Sequence, residues 1–174
     1  MTARDVQRSR VYAAETVVRR ALDRAASGAG TVTMLGSTVV LPVERRFGSV
    51  DAVQRYVEGV LALRWVRATW PGRAAIAVSV RPRRGQARAE YARASATIAL
   101  PPRAGNAAWA LRELVVLHEL AHHLAEDEHE EPHGPGFLDR LLALVEGVIG
   151  PEAGLLLRAT LHNAGARLSL AATS

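Results

Sequence analysis

The sequence of 174 residues predicts a single α+β domain spanning 1–174, and three observations carry that expectation. Apolar residues recur at helical spacing in five segments, one of them apolar over most of its surface. Short runs rich in β-branched residues lie between those segments, bounded by Gly, Pro or Ser. No internal repeat and no long linker divides the chain. With 49% hydrophobic and 22% charged residues, the composition is that of a globular chain able to bury a core.

The elements follow in order. Arg4 to Ala26 reads as an amphipathic helix with Val11, Val17, Val18, Ala21 and Leu22 on its apolar stripe. Ser27-Gly28-Ala29-Gly30 ends it, because glycine supplies the left-handed cap. Thr31–Leu35 and Thr38–Val43 read as strands joined at Gly36-Ser37. Ser49 is an N-cap for a second helix reaching about Leu63. Trp65, Trp70 and Pro71-Gly72 punctuate the next stretch. Ala74–Val80 and Ala87–Tyr91 read as a hairpin about the turn Arg81–Gln86, and Ala96–Leu100 as a further strand closed by Pro101-Pro102. A long helix then runs from about Ala107 to Ala125. The polar loop Glu126–Gly134 leads to a helix from Pro135 to Val148, which Gly150-Pro151 separates from a last helix ending near Asn163.

Composition excludes several kinds of chemistry. Cysteine is absent, so disulfides, thiol catalysis, iron–sulfur clusters and Cys-ligated zinc are ruled out. No apolar run approaches the ~20 residues of a membrane-spanning helix, and the first residues lack the apolar core of a signal peptide. The expected compartment is the cytoplasm. All 22 basic residues are Arg. Residues 1–112 hold 19 Arg against 7 acids, a balance of +12, whereas residues 113–174 hold 3 Arg against 10 acids, a balance of −7. Five of the six His fall between His118 and His133, inside the acidic part.

That cluster begins with His118-Glu119-Leu120-Ala121-His122. Residues four apart on a helix share a face, so His118 and His122 can offer two imidazoles to one ion. Glu119 then projects toward a bound water as general base, the H-E-x-x-H arrangement of zinc hydrolases. Zinc lowers the pKa of its water toward ~7, which makes a nucleophile available at neutral pH. A catalytic zinc takes three protein ligands and keeps one position open. The metzincin continuation fails, because Ala125 and Glu128 stand where it needs Gly and His. Three candidates remain for the third ligand. His133 is favoured, as a loop His before a helix that Gly134 lets turn back and Pro135 begins. His129 and Glu146 are its competitors.

His118-Glu119-Leu120-Ala121-His122 followed by His133-Gly134-Pro135-Gly136-Phe137 resembles the SprT-like and related small zincin metallopeptidases. Ile98-Ala99-Leu100-Pro101, ahead of the motif helix, fits that pattern, and the similarity covers about Ala87 to Leu144. The resemblance implies a zincin-like fold, with a small sheet packed on the motif helix and further helices around it. It also implies zinc on His118, His122 and His133. Residues Arg4 to Tyr12, taken with the His-Gly-Pro segment, resemble a family of small metallohydrolases of high-GC bacteria over nearly the whole chain. The Cys-based ribbon that some SprT-like proteins carry is impossible here.

The expected activity is zinc-dependent hydrolysis, of a peptide or protein substrate first and of a non-peptide amide or ester second. An expectation of another class is a nucleic-acid-associated or partner-binding module with a structural or vestigial zinc site, motivated by the basic front and by Arg81, Arg83, Arg84, Arg88 and Arg93 at the hairpin. The bland account of those arginines is a charged turn. His123 points about 100° from His122 and reads as a supporting or capped histidine rather than an oxyanion donor. The acidic run 126–131 reads as a solvated loop, with one functional variant in which a carboxylate orients a zinc ligand. His162 reads as structural, and Trp65, Trp70 and Trp109 as core or groove walls. If strand Ala96–Leu100 lies at a sheet edge, it can add a substrate peptide by backbone pairing.

Overall fold

The computed structural model describes residues 5–83, 88–101 and 111–169. Arg84, Ala87, Pro102, Ala107 and Trp109, all named above, lie outside them, as does Arg4. The chain is mixed α+β and forms two compact units. One is built from residues 1–44 and 127–174, the other from residues 45–126.

In the first unit, helix α1 (Arg8–Ala26) buries Val11, Ala14, Val18, Ala21 and Leu22 on one stripe and packs against α7 (Pro151–Asn163). Gly28, at φ +93°, ends α1 in the left-handed conformation that glycine adopts without a steric penalty. Strands β1 (Thr31–Met34) and β2 (Ser37–Val40) pair antiparallel. Leu35 and Gly36 form the two-residue turn, both at positive φ, which suits the twist of a tight hairpin. Helix α6 (Pro135–Leu144) starts with Pro135 in its first turn and buries Phe137, Leu138 and Leu141. A π-helical turn (Val145–Ile149) extends it, and Gly150 at φ +147° breaks the chain before Pro151 begins α7.

In the second unit, α2 (Val50–Ala62) starts as expected, with the Ser49 hydroxyl accepting the N–H of Ala52. Such a cap contributes about 1 kcal/mol. Two short helices follow, α3 (Arg64–Thr69) and α4 (Pro71–Ala74). Trp65 in α3 and Trp70 just after it are half-buried, with ring centroids 6.0 Å apart. The sheet comprises β3 (Ser79–Pro82), β4 (Glu90–Ala92) and β5 (Thr97–Leu100) in the order β3-β5-β4.

This sheet corrects three expectations. The expected hairpin is absent: β3 pairs parallel with β5, and β4 pairs antiparallel with β5. The strand expected over Ala74–Val80 also begins later, since Ala74 closes α4. And β5 is central rather than at an edge, with all four residues buried. Both its hydrogen-bonding sides are taken, so it has no free edge for an incoming peptide.

Helix α5 (Glu113–His123) carries the motif and packs against β4 and α2. Its first carboxylate anchors it. Glu113 accepts from the backbone N–H of Arg45 at 3.0 Å, the Arg45 guanidinium at 2.6 Å and the Tyr56 hydroxyl at 2.7 Å. A buried anion at a helix N-terminus is favoured by the exposed N–H groups and the helix dipole. No helix of the described residues is long and apolar enough to cross a membrane.

Candidate metal centre

Every residue of α5 is buried except His122. The imidazoles of His118 and His122 lie one turn apart, their ring centroids 5.0 Å from each other. Their Nε2 atoms face each other at 3.3 Å. Two nitrogens each roughly 2.0–2.1 Å from a zinc ion, at a tetrahedral angle, stand about 3.3–3.4 Å apart. The pair therefore fits a single tetrahedral cation without rearrangement.

His133 belongs to the first unit and offers a further imidazole for a metal ion. The two competitors for the third position lie in the same unit as His133, and both are exposed. His129 is exposed, with its ring 3.6 Å from Glu128. Glu146 is exposed in the π-turn after α6.

His133 is buried and held on several sides by its own unit. Its Nδ1 lies 2.6 Å from a carboxylate oxygen of Asp5. Its carbonyl accepts from the Gln7 side chain at 3.1 Å. Tyr12 and Phe137 place their ring centroids 5.6 Å and 4.9 Å from its own. Gly134 has an ordinary φ of −72°, so its role is not conformational freedom. A Cβ there would come within 2.8 Å of the Glu131 side chain and 3.1 Å of its carbonyl, so the close approach requires glycine.

Glu119 is buried on α5, one residue after His118. His123 is buried too, and the bland expectation for it is the correct one. Its Nε2 lies 2.9 Å from the Arg73 carbonyl, which can only accept, so Nε2 carries the proton. Nδ1 then accepts from the Tyr91 hydroxyl at 2.9 Å, and that hydroxyl in turn accepts from Arg73 at 2.8 Å. Burial, followed by the neighbouring Arg73 charge, pushes the His123 pKa down to about 4. The ring is a neutral clasp between α5, α4 and β4, with both nitrogens engaged.

The acidic run disperses onto separate partners. Asp127 accepts the N–H of His129, Glu126 that of Arg73 and Glu131 that of Val6, while Glu130 pairs with the guanidinium of Arg140. The carboxylate on His133 comes instead from Asp5, which spacing does not reveal because the two residues are 128 positions apart. Gln7, Tyr12, Arg73 and Tyr91 are missed for the same reason. Of the arginines near β3 and β4, Arg83 pairs with Glu90 at 2.7 Å and Arg93 donates to the Ala125 carbonyl. His162 is exposed near the end of α7. No protein family, curated protein or solved structure compared with the chain matches it.

Proposed function

We propose that the chain is a zinc-dependent hydrolase whose ion is held by His118, His122 and His133 and whose general base is Glu119. The observation that carries the reading is the 3.3 Å separation of the His118 and His122 Nε2 atoms on an otherwise buried helix. Two imidazoles one turn apart at that separation match two nitrogens on one tetrahedral cation. Three neutral imidazoles suit zinc among the common divalent ions. When bound, zinc supplies Lewis acidity and a water acidic enough to react near neutral pH.

The remaining work falls to the chain itself. His122, the one residue of α5 not fully buried, marks where solvent and substrate reach the site. The Glu119 carboxylate takes a proton from the attacking water and delivers it to the leaving nitrogen. A peptide bond is the proposed substrate. That choice rests on the resemblance of the two motifs to small metallopeptidases, and not on β5, whose edges are both paired.

Glu119→Gln keeps the size of the side chain but removes the base. The zinc-loaded variant should retain its ion and lose turnover of a peptide library by at least ~100-fold. Equal activity in the variant and the wild type would contradict the assignment.

A further inference from the structure

We infer that Asp5 is a positioning residue for the metal centre, fixing His133 in the tautomer that leaves Nε2 for the ion. The inference rests on the metal reading above and adds to it a residue that neither motif contains.

A neutral imidazole has one N–H and one lone pair, and whichever nitrogen donates leaves the other to bind. The Asp5 carboxylate can only accept, and it stands 2.6 Å from Nδ1 of His133. Nδ1 therefore carries the hydrogen, and the lone pair is on Nε2. A carboxylate on the far nitrogen also makes the imidazole a more basic ligand, and it fixes the plane of the ring.

Asp5 is itself held in place. Its other oxygen accepts the N–H of Arg8 at 3.1 Å, so the carboxylate caps the first turn of α1 while it holds the ring. Two residues on, the Gln7 side chain donates to the His133 carbonyl at 3.1 Å and accepts from the N–H of Arg167. One short stretch thus grips both the ring and the backbone of the same residue. Tyr12, a turn further along α1, and Phe137 both pack against the ring. This gives the start of α1 a task beyond packing: it sets the direction of the ligand offered by His133.

The test compares the full chain with Asp5→Asn and Asp5→Ala. Each protein is titrated with Zn²⁺ against a chromophoric chelator, and the metal-free His133 ring is observed by ¹⁵N NMR. The wild type should show the Nδ1–H form before any metal is added. Asp5→Ala should lose that preference and bind zinc roughly 10–100-fold more weakly. Asp5→Asn should fall between the two, because its amide oxygen still accepts from Nδ1 but carries no charge. If Asp5→Ala does not fold, the Asp5→Asn affinity decides alone. Lowered melting temperatures with wild-type zinc affinity and ring signals would overturn the inference, since a merely structural cap would do just that. A wild type that takes up no zinc would instead overturn the metal reading itself.

Discussion

Nε2 of His118 and Nε2 of His122 face each other across 3.3 Å on one side of α5, the separation that one tetrahedral cation requires. Removing either ring should therefore abolish tight binding and not merely weaken it. In the wild type, zinc at 100 times its Kd should stabilise the folded chain by about 2.7 kcal/mol. His118→Ala and His122→Ala should show no zinc-dependent rise in melting temperature. A rise of wild-type size in either variant would contradict the pairing.

The third ligand separates three candidates cleanly. His133→Ala should lose most bound zinc in elemental analysis after dialysis, whereas His129→Ala and Glu146→Gln should keep one ion per chain. The reason is setting: His133 is buried with its Nδ1 held by Asp5, while His129 and Glu146 are exposed. Loss of the ion in His129→Ala with retention in His133→Ala would reverse the assignment.

Glu113 fixes the start of the motif helix through three hydrogen bonds, two from Arg45 and one from Tyr56. Glu113→Ala leaves the Arg45 N–H and the Tyr56 hydroxyl without their acceptor and should cost about 2–4 kcal/mol in urea unfolding. Tyr56→Phe removes a single donor and should cost about 1 kcal/mol. Neutral effects in both would show that α5 is held by its apolar face alone.

His123 predicts an acid-side dependence of stability. Its pKa is lowered to about 4 in the folded chain, against an ordinary value of 6.5. Between those values the unfolded chain binds a proton that the folded chain does not. The stabilisation is thus complete above pH 6.5 and is lost as pH falls toward 4. His123→Gln can still donate to the Arg73 carbonyl but does not titrate. In chelator-treated protein it should flatten the acid limb by up to about 1.4 kcal/mol per pH unit. An unchanged limb would show that the clasp does not govern it.

Local signals in the sequence were those that a single turn or cap can carry. Ser49 announces α2, Gly28 ends α1 and Gly150-Pro151 divides α6 from α7, because each acts on its own neighbours. The four-residue spacing of His118 and His122 is likewise a property of one helix. Strand partners are not local. β3 and β4 look like a hairpin because they are close in sequence, yet both pair with β5, which comes later in the chain. The hydrogen-bond partners of these buried histidines are equally non-local: Asp5 reaches His133 from the other end of the chain, and Arg73 and Tyr91 reach His123 from α4 and β4. Short polar contacts of this kind leave no periodic trace.

X-ray absorption of the zinc-loaded protein tests most directly whether three imidazoles hold the cation. The spectrum should show three imidazole nitrogens at about 2.0–2.1 Å, with one further light-atom ligand completing a four-coordinate shell. A shell with fewer than two imidazoles, or a protein that takes up less than one ion per chain, would contradict the account.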